Sequence, residues 1–87
     1  MNKVVTVMTA VGEYVGRLVT IDETGIVLER PRLITFEGES MGFARGIAST
    51  GKVDPTEVTI LSPIFMTECD DEVIKAWQTA TSGIVMP

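Results

Sequence analysis

A series of short strand-like segments followed by one amphipathic segment is the feature that most limits how this chain folds. β-Branched and other apolar residues dominate five segments: 3–11, 14–21, 26–36, 41–48 and 57–61. Turn-forming residues separate the segments, most clearly in Asp22-Glu23-Thr24-Gly25, where Gly25 accepts a positive φ. Because the chain has only 87 residues, this pattern favours one small antiparallel domain.

Residues 70–82 have a different period and predict a helix. The apolar side chains that recur at helical spacing are Val73, Ile74, Trp77 and Ala80. Asp70 or Asp71 suits the N-cap, and Gly83 suits the end of the helix. We therefore expect this helix to pack its apolar stripe on the sheet.

Pro31 lies in the middle of the third segment and predicts an edge or a bend there. Proline cannot donate to a strand ladder, and a small barrel needs bent strands at its corners. Residues 64–66, beyond Pro63, are expected to continue the fifth strand in a new direction.

The predicted fold is mainly β: a small, strongly bent, five-stranded antiparallel barrel of the SH3-like type with one C-terminal α-helix. A single domain is expected over 1–87, with the barrel at about 3–66 and the helix at about 70–82.

The composition argues against enzymatic classes. The sequence contains no histidine and one cysteine, Cys69. Histidine-dependent nucleophilic catalysis and histidine-ligated zinc are thereby excluded, as is an internal disulfide. No carboxylate pair or nucleophile has a visible base partner, so we expect no enzyme, no cofactor and no metal site.

The formal charge of −5 is unevenly distributed along the chain. The last 20 residues contain four carboxylates, all between Glu68 and Glu72, and one cationic side chain, that of Lys75. Because much of the negative charge lies there, the first 67 residues are able to carry a local basic surface. The N-terminus lacks the apolar core of a targeting signal, and no apolar run approaches the roughly 18 residues of a membrane span. A cytoplasmic protein without a membrane partner is expected.

Gly16, Leu18, Ile21 and Asp22 are followed by an apolar triplet at 26–28. This spacing resembles the first signature of the Sm/LSm family, which includes the bacterial RNA chaperone Hfq. The pair Arg45-Gly46 resembles the centre of the second signature. The sequence is similar in character to divergent Sm-like proteins of phage and environmental marine origin. It departs from the family in carrying its helix at the C-terminus and Thr24-Gly25 where the family has a base-bonding asparagine.

The resemblance implies a homo-oligomeric ring of five to seven subunits that binds single-stranded RNA, or DNA. Such rings close by pairing the fourth strand of one subunit, here 41–48, with the fifth of the next, here 57–61. Arg45 would then clamp a base or a phosphate, while Asp22 and the Thr24-Gly25 backbone would bond base edges or orient Arg45. Ring closure would repeat each contact in every subunit.

Arg30 and Arg32 flank Pro31 and would share one face of a regular strand. They would bind phosphate, or pair with Glu29 or Glu37. The complete expected nucleic-acid-binding set is Asp22, Thr24, Gly25, Arg30, Arg32, Arg45 and Gly46.

Each of these residues also has a purely structural interpretation. In it, Gly16 marks a strand bend, Asp22 forms its own turn, and Arg45 is a solvated or ion-paired surface residue. The alternative function is a structural or adaptor ring that contacts proteins and has no nucleic-acid role. The acidic charge and the apolar end of the chain, 84–87, favour it. A contiguous positive face would favour nucleic acid instead, and its expected members are Arg17, Arg30, Arg32 and Arg45.

Overall fold

The computed structural model describes residues 3–44, 46–48 and 50–82, which form six strands and one helix. The elements are β1 (Val4–Thr9), β2 (Gly12–Asp22), β3 (Gly25–Glu37), β4 (Ser40–Ala44), β5 (Glu57–Ile60), β6 (Phe65–Glu68) and α1 (Asp71–Thr81). The expected mainly β antiparallel fold with one C-terminal helix is confirmed. No helix in these described ranges has the length and apolar character needed to cross a membrane.

All strands belong to one antiparallel sheet with the order β4-β3-β2-β1-β6. The long strand β3 pairs with β5 through its first half and with β4 through its second half. β4 and β5 therefore lie end to end along one edge of β3, and the described residues between them, 46–48 and 50–56, form an excursion outside these strands. A bridge between Gly46 and Val53 narrows the base of this excursion.

The arrangement of strands differs from the sequence prediction in one respect. Residues 65–68 do not extend the preceding strand: they form the separate strand β6, which pairs with β1. The segments 41–48 and 57–61, expected as two separate ring-forming edges, both lie along β3, as β4 and β5. The opposite end of the sheet is β6. The sixth strand thus arises because residues 65–68 pair with β1 instead of continuing β5.

A β-bulge bends the sheet where Gly16 of β2 faces Arg30 and Pro31 of β3. Val15 pairs with Arg32 and Arg17 with Glu29, so two residues of β3 oppose one residue of β2. Arg30 has a φ of 53°. A Cβ on residue 16 would lie 3.0 Å from the Cβ of Leu28, which explains why glycine suits this position. The bend predicted from Pro31 is therefore present, and its cause is a bulge.

Two hydrophobic cores lie on opposite faces of the bent sheet. Alternation along β1 sends Val5 and Val7 inwards and Val4 outwards. The inner core is formed by Val5, Val7, Leu18, Ile26, Leu28 and Ile60. The outer core contains Val4, Val15 and Trp77, with Val73 and Ile74 of α1 packed against it. Both faces of β1 are thus covered, as its apolar sequence indicates.

Helix α1 is attached to the bend through Trp77. Asp70 is the N-cap and accepts the backbone N–H of Glu72. Trp77 is fully buried, and its Nε1–H donates to the carbonyl of Arg30 at 2.9 Å. Ala80, expected in the apolar stripe, is exposed, and Thr81 is buried in its place, one helical turn after Trp77. The hydroxyl of Thr81 is satisfied by the carbonyl of Trp77 at 2.8 Å. Gly83, expected to end the helix, lies outside the described residues.

Replacing Trp77 tests whether the helix is part of the domain. Trp77→Ala should lower the free energy of unfolding by about 3–5 kcal/mol, because it removes the largest buried side chain of the outer core. Trp77→Phe retains a ring but leaves the carbonyl of Arg30 without its donor, and should cost about 1–2 kcal/mol. Urea denaturation followed by circular dichroism measures both. A near-neutral Trp77→Ala would contradict the packing described here.

Candidate nucleic-acid interface

The turn between β2 and β3 holds Asp22, Thr24 and Gly25. Asp22 Oδ1 accepts the backbone N–H of Thr24 at 2.8 Å and also the hydroxyl of Thr24. These hydrogen bonds, that of the Thr24 hydroxyl foremost, hold the pKa of Asp22 below its ordinary value. Both side chains are exposed. Asp22 is therefore an ionised, turn-forming carboxylate at the surface.

Gly25 brings this turn against the end of β5. It has a φ of 150°, and a Cβ there would collide with the carbonyl oxygen of Ile60 and lie 3.4 Å from the Cα of Leu61. Only glycine allows this approach of two backbones. The chain segment beside the turn is accordingly 60–61, and Leu61 is 71% exposed there.

Arg30 and Arg32 do not share an exposed face, which corrects the expectation for a regular strand. The bulge places Arg30 in the left-handed region and breaks the alternation of side chains, so Arg30 is exposed while Arg32 is buried. Arg32 Nη2 lies 3.1 Å from Asp54 Oδ1, and Nη1 donates to the carbonyl of Pro31 at 3.1 Å. The Arg32 side chain is only 6% exposed, so it is not available to a phosphate in this conformation.

Asp54 is the partner that the sequence interpretation missed. Arg32 was expected to pair with Glu29 or Glu37, but Glu29 binds Arg17, with 2.9 Å between Oε1 and Nη1. Asp54 lies 22 positions further along the chain, in the excursion between β4 and β5. No local pattern links two residues at that separation, since the pair depends on where the excursion folds back.

Arg17 is also engaged within the domain. Besides its ion pair with Glu29, its guanidinium lies over the ring of Trp77, 5.7 Å from the centroid. With Arg32 buried as well, two of the four arginines expected to form a positive face are held in internal ion pairs. Arg30 remains exposed, and Arg45 lies outside the described residues.

The predicted site residues fall into separate places along β3. Asp22, Thr24 and Gly25 lie where β3 begins, whereas Gly46 follows β4, whose residue Ala44 pairs with Leu33. Eight residues of strand separate Gly25 from Leu33, roughly 25 Å along the chain before the bend shortens it. The turn and Gly46 are therefore placed at different positions along β3 by strand register.

The face of the sheet that carries the inner core also has an open apolar hollow. It has a volume of about 880 Å³ and is lined by Val5, Leu18, Ile21 and Met66, with Lys3 and Glu68 also contributing to its walls. Lys3 Nζ and Glu68 Oε2 lie 3.1 Å apart and are both largely exposed. In the parts of the chain that the structure describes, no three histidine, cysteine or acidic residues group as a metal site.

Comparison with known proteins adds no relative to this picture: no protein-family model matches the chain, and no curated protein matches it significantly. The likeness to Sm-like proteins rests on its motif residues and on the bent antiparallel sheet.

Proposed function

We propose that this chain is the subunit of a closed, Sm-like homo-oligomeric ring that binds single-stranded nucleic acid, RNA in the first place. The observation that carries the proposal is the strand order β4-β3-β2-β1-β6, which leaves β4, followed by β5, on one edge of a strongly bent sheet and β6 on the other. The motif residues of β2 and β3 add support, because Gly16 occupies the bend and Asp22 the turn.

The outer strands β4 and β6 lack lysine and proline, two of the residues that normally protect sheet edges. β4 contains no charged residue, and β6 contains only Glu68. An unpaired strand without lysine or proline is ready to pair with another chain. Pairing β4 of one subunit with β6 of the next is a head-to-tail contact, and such a contact closes into a ring when its rotation is suitable. By family resemblance, five to seven subunits are expected.

Nucleic acid would be held by weak contacts repeated around the ring. The candidate groups are the Asp22–Gly25 turn, the exposed Arg30, and Arg45 with Gly46, as the family resemblance implies; Arg32 is omitted because it is buried. In one subunit the described groups, the turn, Arg30 and Gly46, lie at different positions along β3, so a strand of nucleic acid would contact them in sequence or on successive subunits. The negative charge opposes long-range attraction, but screening limits that effect beyond about 8 Å at physiological salt.

An adaptor ring without a nucleic-acid role is the second candidate, favoured by a specific observation. Three of the cationic side chains in the described ranges are bound to carboxylates: Lys3 to Glu68, Arg17 to Glu29, and Arg32 to Asp54. These pairs reduce the positive surface that a polyanion requires.

Assembly is tested by sedimentation velocity of the wild-type chain and two lysine variants. The wild type should sediment as one closed oligomer at micromolar concentration. Thr67→Lys places a charge on the outer strand β6 and should shift the protein to smaller species. Thr79→Lys makes the same chemical change on an exposed position of α1 and should leave the oligomer intact. A stable wild-type monomer would refute the ring.

Nucleic-acid binding is tested by anisotropy titrations of labelled RNA and DNA oligonucleotides at two salt concentrations. Arg45→Ala should weaken binding by about tenfold or more and reduce its salt dependence, since the loss is repeated in every subunit. Lys75→Ala, an exposed helix position, removes the same charge and should have little effect. An intact ring that binds neither oligonucleotide at either salt concentration would instead support the adaptor function.

A further inference from the structure

An exposed apolar strip crosses the outer face of the sheet where helix α1 leaves it uncovered. Its four residues are Met8, Phe36, Met41 and Phe65, from four different strands. Phe36 is 67% exposed, Phe65 51% and Met41 40%. Large apolar side chains concentrated in one exposed patch mark an interaction surface more often than isolated ones do.

The strip is continuous because strand pairing places its members side by side. Met8 pairs with Phe65 across β1 and β6, and Phe36 pairs with Met41 across β3 and β4. Met8, Met41 and Phe65 line one hollow of about 270 Å³. Phe36 and Met41 line a second hollow of about 310 Å³. Met41 therefore links the Met8–Phe65 pair, with which it shares the first hollow, to Phe36, its partner across the strands.

Helix α1 borders the strip without covering it. The first hollow has Val73 in its wall, so the first turn of the helix ends the depression on one side. Beyond Val73 the helix follows the outer core towards Trp77, which contacts the bend at Arg30. The opposite end of the outer face, where Phe36 and Phe65 lie, receives no cover from α1.

Carboxylates line the first hollow. Glu13, Glu68 and Asp70 are among its lining residues, and Glu68 is paired with Lys3 at 3.1 Å. Neither hollow has a lysine or arginine among its described lining residues. An apolar surface that carries carboxylates repels phosphate groups and attracts a partner that presents cations beside its apolar side chains.

We propose that the apolar strip binds an amphipathic segment of another protein whose apolar face is flanked by lysine or arginine. Burial of Phe36, Met41 and Phe65 would supply the affinity, and the carboxylates of Glu13 and Asp70 at the first hollow would select the charge of the partner. This function goes beyond the ring and its nucleic acid. Edge-to-edge pairing of β4 with β6 leaves the faces of the sheet open, so a ring would present one strip for each subunit.

The probe for this surface is a labelled peptide of about 16 residues, long enough for four helical turns, with leucine on one face and lysine on the other. A matched peptide carries glutamate in place of every lysine. Fluorescence anisotropy of the full chain with each peptide should show saturable binding of the lysine peptide alone.

The double variant F36S/F65S should weaken binding of the lysine peptide by about tenfold or more, because two aromatic anchors are lost. V11S/L61S is the matched control: Val11 and Leu61 are at least as exposed but lie outside both hollows, and their replacement should leave binding unchanged. Circular dichroism checks that both variants fold.

Equal binding of the two peptides, or equal loss in the two variants, would overturn the proposal. So would a change of oligomer size confined to F36S/F65S, since the strip would then be a contact between copies of this chain. These outcomes are independent of the ring: a wild-type monomer that binds the lysine peptide through the strip supports the surface and refutes only the assembly.

Discussion

The β-bulge opposite Gly16 is the constraint on which the other features of the domain depend. Arg30 has a positive φ there, a conformation that an L-residue adopts at a cost of about 1–2 kcal/mol. The surrounding structure holds it in place on both sides. Its N–H donates to the carbonyl of Thr56 at 2.8 Å, and its carbonyl accepts the Trp77 Nε1–H at 2.9 Å. The bend thereby ties β5 and helix α1 to the same residue.

This bend divides β3 into two halves that pair with different strands. The first half pairs with β5 and contributes Ile26 and Leu28 to the inner core. The second half pairs with β4 and turns Arg32 into the protein, where Asp54 neutralises it. The same geometry leaves β4 and β6 at the ends of the sheet and leaves the apolar strip open beside α1. The proposed edge contacts and the proposed peptide surface are thus separate consequences of one bent strand.

The sequence predicts most of the architecture because the relevant signals are local. Period-two alternation in β1, the Asp22–Gly25 turn and the helical stripe around Trp77 are each read from neighbouring residues. The bend also has a local mark in Pro31. The interpretation fails where position depends on contacts distant in the chain. Residues 65–68 pair with β1 rather than extending β5, and nothing in their own sequence specifies that partner.

The candidate site is less predictable than the fold for the same physical reason. The shared face expected for Arg30 and Arg32 assumes that side chains alternate regularly along an unbroken strand. A single bulge interrupts that alternation. The separation of Gly25 from Gly46 follows from the excursion between β4 and β5, whose length is visible in the sequence but whose pairing is not. The apolar strip has no sequence signal at all, since Met8, Phe36, Met41 and Phe65 meet only through strand register.

The most direct test of this account compares the free energies of unfolding of Arg30→Gly and Arg30→Ala. Both variants remove the arginine side chain beyond Cβ, and they differ only in whether Cβ is present. In a regular strand, glycine is less stable than alanine by roughly 0.5–1 kcal/mol. At a positive φ the order is reversed, because alanine retains the steric cost that glycine avoids. The bulge predicts that Arg30→Gly is the more stable of the two by about 1 kcal/mol. A more stable Arg30→Ala would mean that β3 passes residue 30 as an ordinary strand, and would contradict the bend as the organising feature.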